Sequence, residues 1–140
     1  MIQFTNSGAP ITVKDINSTM QKLGITLPES YENFLLKTNG GIPSYIYFTT
    51  EDNDYVIDQF YAISNKKGSF QSYFRHYKLE NNILPKKLAA IADDAFGNLI
   101  CISLEDEDKG SIYFWNHGFN EIHFLSSDID EFINHLKEDI

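Results

Sequence analysis

Apolar and polar positions in the first forty residues follow a helical period twice. In "TVKDINSTMQKLG", Val13, Ile16, Met20 and Leu23 fall on one side of a 3.6-residue repeat, Thr12 and Asp15 can cap the start, and Gly24 supplies a stop. "LPESYENFLLKTNGG" repeats the arrangement, with Pro28 at a first-turn position, Tyr31, Phe34 and Leu35 on a common side, and an end at "NGG". From residue 45 the period shortens. "YIYFTT" and "YVIDQFYAIS" are rich in aromatic and β-branched residues and flank the acidic turn "EDND", which predicts a hairpin. Helical spacing returns in "GSFQSYFRHYKLENNILP": Phe70, Phe74 and Tyr77 share a side, Arg75, His76 and Lys78 are assigned to the wet side, and Pro85 ends the run.

Four apolar runs follow, "KLAAIA", "NLICISL", "SIYFW" and "EIHFL", joined by "DDAFG", "EDEDKG" and "NHGFN". Loops this short place the strands antiparallel. The chain closes on "SSDIDEFINHLKEDI", a helix with Ser126 or Ser127 as its cap, Asp128, Asp130 and Glu131 in its first turn, and Ile129, Phe132, Ile133 and Leu136 turned inward. This order predicts an α+β fold. A single domain over residues 1–140 would hold an antiparallel or mixed sheet of about five or six strands, with two N-terminal helices and one C-terminal helix packed against it.

Composition supports a self-sufficient core. Hydrophobic residues make up 42% and aromatics 14%, enough to fill one domain without disulfides or a structural metal. The single cysteine, Cys101, sits between apolar neighbours and reads as a small buried hydrophobe. The opening "MIQFTNSGAP" lacks the basic and apolar regions of a secretory signal, and no stretch reaches the roughly 20 apolar residues needed to span a bilayer. A cytoplasmic, soluble protein with no membrane association is the expectation.

Charge changes the picture further. Eleven bases against twenty acids give −9, which argues against a nucleic-acid binder because a phosphate backbone is repelled over most of such a surface. The charge is also uneven. Residues 1–65 hold seven acids and three bases, 66–87 one acid and six bases, and 88–140 twelve acids and two bases. The C-terminal part is a field source suited to steering a cationic partner.

Known catalytic and metal-binding patterns do not fit the chain. Four consecutive acids, Glu105, Asp106, Glu107 and Asp108, lack the alternate spacing, central Gly and distal Glu of an EF-hand, and Lys109–Gly110 after them suits a tight turn in water. Cys101 and the four histidines, His76, His117, His123 and His135, follow neither HExxH nor CxxC spacing, so no metal or other cofactor is expected. There is no GxSxG elbow, P-loop or dinucleotide fingerprint. The acid pairs Asp52/Asp54 and Asp93/Asp94 have the residue type a glycosidase needs, yet acids are common in turns without any reaction. No catalytic residue is assigned. The candidate partner-binding set is the turn acids Asp52, Asp54, Asp93, Asp94, Glu105, Asp106, Glu107 and Asp108, with Tyr47, Trp115 and His117 beside them. Trp115 has two readings at this stage, core residue or desolvated anchor of an interface.

Three stretches carry a resemblance: "LPESYENFLLKTNGGIP", "LAAIADDAFGNLICISL" and "GSIYFWNHG", in this order and separation. The chain resembles the SUKH superfamily, which includes the yeast cell-wall assembly regulators and many bacterial immunity proteins. The resemblance implies helices against a sheet, no catalytic residue, and a cognate protein toxin, often a nuclease or deaminase, as partner. A basic toxin surface would suit the acidic charge. A regulatory or scaffold role without a toxin is the alternative it leaves open. Asn116 and Gly118 stand where acids are frequent in the family, and Phe96 where a small residue is frequent.

Overall fold

The computed structural model describes residues 2–139. The first two helices form as the apolar spacing predicts. Helix α1 (Val13–Leu23) opens on a reciprocal capping box, in which the Thr12 hydroxyl accepts from Asp15 N and the Asp15 carboxylate accepts from Thr12 N; it ends at left-handed Gly24. Its inner face is Ile16, Met20 and Leu23, while Val13 stays exposed. Helix α2 (Glu29–Lys37) buries Tyr31, Phe34 and Leu35, with Pro28 one position earlier than expected, as the capping residue itself.

The "NGG" stop after α2 has a structural cause. Asn39 is buried, donates through Nδ2 to Ala9 O and Ile63 O, and accepts from Ile63 N, which ties three segments together. Gly40 and Gly41 follow at φ of 71° and 117°, and a Cβ on Gly40 would lie 2.7 Å from the Tyr61 backbone. Only glycine fits there.

Two small antiparallel sheets form first, β1 (Phe4–Thr5) with β2 (Ile42–Pro43), and β3 (Tyr47–Thr49) with β4 (Asp54–Val56) across the "EDND" turn. The expected second strand of that hairpin splits. After β4 the chain passes Ile57 and Asp58, whose amides bond Ile46 O and Asp93 O respectively, and continues as β5 (Gln59–Phe60) at the edge of the main sheet. The main sheet is five-stranded and antiparallel, in the order β5, β6 (Leu88–Asp93), β7 (Leu99–Ser103), β8 (Ile112–Asn116), β9 (Glu121–Ser126). Its central strands are buried on both faces, so β6 and β7 read as continuous apolar runs.

Helix α3 (Phe70–Phe74) packs on β6 and continues as a π-helical segment over Arg75–Glu80. Lys78 departs from its expected wet position. Its ammonium is half-buried and donates to Pro85 O and Lys86 O at 2.8 and 2.6 Å, and burial pulls its pKa down. Helix α4 (Ile129–Asn134) is capped by Asp128, whose carboxylate accepts from Glu131 N, in place of Ser126 or Ser127. Phe132 on α4 stacks on Phe48 at 4.6 Å and meets Phe60, which in turn meets Phe34, so aromatic rings join α4, β3, β5 and α2. The architecture is a single α+β domain. Among the described residues no helix is long and apolar enough to cross a membrane.

Candidate functional site

The acidic run between β7 and β8 divides into two kinds of residue. Asp106–Asp108 form one 3₁₀ turn, with Glu105, Asp106 and Glu107 exposed. Asp108 instead turns inward as an acceptor for three donors: Ser103 Oγ, Tyr113 OH and, at 2.8 Å, Lys87 Nζ. The Lys87 ammonium, followed by the two hydroxyls, holds the Asp108 carboxyl down at about 2. Lys87 also lies over the Tyr113 ring, 4.6 Å from its centre. The expectation of a wholly solvated turn therefore fails at Asp108, which fastens the connection to β6, β7 and β8.

Three further candidates are placed in the body of the fold. Trp115 is 4% exposed, donates from Nε1 to Asn120 Oδ1 at 2.9 Å, and meets Tyr77 edge-on, so the core reading holds and the open-anchor reading does not. Asp93 accepts from Tyr61 OH at 2.9 Å, and its other oxygen is buried without a partner among the described residues. Burial, aided by Asp58 and Asp94, lifts its carboxyl to about 6. Tyr47 is half-buried in β3, with its backbone N–H and C=O both bonded to Lys137. Cys101 is fully buried and burial pushes its thiol up, away from thiolate reactivity.

The remaining candidates come together at the opposite end of β7 and β8 from the acidic run. There the 50–53, 94–98 and 116–120 turns converge around an open cavity of about 270 Å³ whose lining includes Asp54, Tyr55, Asp94, Phe96, Asn98 and His123. A second hollow beside it includes Glu51, Asp52, His123 and Phe124. The turns are stiffened by their own side chains. Asp94 accepts from Phe96 N, Asn98 N and Asn98 Nδ2 at 2.7 to 3.0 Å. Asn98 Oδ1 then accepts from the His117 backbone N–H and from its ring Nδ1, joining the two neighbouring turns. Asn116 Oδ1 accepts from Gly118 N and Phe119 N.

The consequence is a display of apolar side chains on fixed turns. Phe96 is 73% exposed and Phe119 76%, whereas Phe124, 58% exposed on β9, meets Tyr113 edge-on at 5.8 Å towards the acidic run. In the cavity that Phe96 helps to line, Tyr55 OH bonds His123 Nδ1 at 3.1 Å, and His123 stacks on Phe114. Large exposed aromatics beside Asp52, Asp54, Asp94 and Glu121 match the anchor-and-rim composition of protein interfaces. Among the described residues no group of three His, Cys, Asp or Glu side chains is placed to hold a metal ion.

Sequence reasoning found Asp52, Asp54, Asp94 and His117 at this end, and missed Phe96, Phe119, Tyr55 and His123. A signal was present for two of them. In "DDAFGN" and "NHGFN" a phenylalanine stands among turn formers, where the chain has no neighbouring strand to cover it.

The model of the SMI1 / KNR4 family (SUKH-1) matches residues 10–135, from the start of the first helix to just beyond the last. The chain belongs to this family. The three stretches that carried the resemblance, residues 27–43, 88–104 and 110–118, all fall inside the match. No curated protein matches the chain significantly.

Proposed function

From SUKH-1 membership, we propose that this chain is a non-catalytic cytoplasmic binding protein, an immunity protein that holds a cognate bacterial toxin at the end of the sheet bearing Phe96 and Phe119. The carrying observation is the display of Phe96 and Phe119, each more than 70% exposed, on turns that Asp94, Asn98 and Asn116 hold rigid. Exposing such rings has no benefit to folding; burying them against a partner gives the desolvated centre that interface energetics favour. Preformed turns lower the ordering cost of binding. The surrounding acids suit a basic partner surface, and the excess of acids in residues 88–140 would speed encounter with it.

The test takes the products of the genes on either side of this chain's own and asks whether one of them is a toxin that the chain neutralises. Co-expression of the parent chain is expected to protect cells from it, and Phe96→Asp with Phe119→Asp is expected to abolish protection while the melting temperature holds. Full protection by that double variant would remove the proposed face. Failure of the parent chain to bind any neighbouring toxin product in purified form would remove the immunity reading and leave a regulatory partner in its place.

A further inference from the structure

On a different part of the molecule lies a cavity of the opposite sign. It measures about 330 Å³, inside the roughly 300–1,000 Å³ range of small-ligand sites, and shares no lining residue with the phenylalanine-bearing end. Lys22 comes from α1, Lys66 and Lys67 from the loop before α3, and Arg75 from the segment after it. Four of the chain's eleven bases therefore meet in one hollow, on a protein with twenty acids, and not one carboxylate lines it. Among the described residues the ion pairs are Lys87–Asp108 and His123–Glu121, so these four cations have no acidic partner.

The floor is built to donate. Gln71 is 8% exposed, and its Oε1 accepts from Ser64 N, which leaves its NH₂ as a donor without a partner among the described residues. All ten lining residues are polar or cationic, with no aliphatic or aromatic wall. We propose that this cavity binds a diphosphate group, free or carried on a larger molecule, with Arg75 as the planar fork and the three lysines as point charges. Uncompensated, the four cations repel one another; a polyanion among them relieves that repulsion and raises stability by mass action. A nucleobase or acyl chain finds nothing to pack on here, so the recognised unit is the diphosphate alone. The inference stands on residues separate from the proposed toxin-binding face and survives its failure.

Calorimetric titration of the purified full chain, in about 50 mM salt and without divalent cations, tests this with sodium diphosphate, ADP, adenosine and a hexaglutamate peptide. Expected are saturable binding of diphosphate, ADP binding within about twofold of it, no binding of adenosine, and a rise in melting temperature with diphosphate. Lys66→Gln with Lys67→Gln, and separately Arg75→Gln, should each weaken diphosphate by about tenfold or more without lowering the melting temperature of the free chain. Lys86→Gln and Lys109→Gln, outside the cavity, should not. No saturable diphosphate binding, a hexaglutamate peptide that binds more tightly than diphosphate, a contribution from adenosine, or equal weakening by the outside lysines would each overturn the proposal.

Discussion

The two ends of strands β7 and β8 each carry a turn aspartate and use its carboxylate in opposite ways. At one end Asp108 gathers Ser103, Tyr113 and Lys87 and closes the connection onto the sheet. At the other, Asp94 gathers the amides of its own turn and holds Phe96 out into solvent. Both are Asp in a short loop, one of four acids and the other the single acid of its turn. What separates them is the donors within reach: side chains of neighbouring strands in one case, backbone N–H groups of the same loop in the other. A turn carboxylate's role follows from the donors around it more than from the number of acids beside it.

The largest expected effect sharpens the contrast within the second end. Trp115 at the base of the 116–120 turn is buried and bonded to Asn120, whereas Phe119 at its tip is 76% exposed. Trp115→Ala is expected to cost about 3 to 5 kcal/mol in denaturant unfolding, and Phe119→Ala within about 0.5 kcal/mol of nothing. Equal losses would mean that the tip is packed in solution and is not a free surface.

Next is Asp108→Asn, expected to lower stability at pH 7 by about 1 to 2 kcal/mol, a few degrees in melting temperature. The sign of its pH dependence follows from a carboxyl held below its ordinary value. The folded chain binds that proton more weakly than the unfolded chain, so the stabilisation is complete above about pH 4 and is lost as pH falls towards about 2. The gap between parent and variant should close over that window. A gap that persists at pH 2 would assign the loss to packing and not to charge.

The sequence made the local periods legible and left the sharing of donors hidden. Tyr31, Phe34 and Leu35 announce the buried face of α2 by spacing alone, and the meander from residue 88 announces antiparallel strands by loop length. Asp108 could not be separated from Glu107 in "EDEDKG", because its partners Lys87, Ser103 and Tyr113 are brought to it by strand register. Lys78 was misplaced for the same kind of reason: the carbonyls it serves belong to residues 85 and 86, beyond the end of its helix. The basic cavity draws Lys22 from a helix more than forty residues before Lys66, so the charged segment 66–87 showed only part of it.

Asp93, one residue before Asp94, tests how sharply the boundary between body and display is drawn. Its carboxyl is lifted to about 6 by burial, so the folded chain binds its proton more tightly than the unfolded one. Stability should therefore fall as pH rises from about 4 to about 6 and remain lower above that. Asp93→Asn keeps an acceptor for Tyr61 and removes the buried charge. It is expected to stabilise the fold by about 1 kcal/mol at pH 7 and to give no advantage below pH 4. Destabilisation at pH 7 would place a cation or donor at the vacant oxygen.

The smallest expected effect belongs to the exposed acids of the first end. Glu105, Asp106 and Glu107 make no side-chain hydrogen bond or ion pair among the described residues, so Glu105→Lys with Asp106→Lys and Glu107→Lys should change unfolding free energy by less than about 0.5 kcal/mol. Their effect on a basic partner is a matter of range. The run is separated from Phe96 and Phe119 by the length of β7, about 15 Å at the strand rise per residue, while charges are screened over about 10 Å at 0.1 M salt. Stopped-flow association is thus expected to slow at low salt and to recover near physiological ionic strength, with dissociation unchanged throughout. Faster dissociation of the triple variant would bring the acidic run into the contact itself, and the two ends of the sheet would then serve one interface.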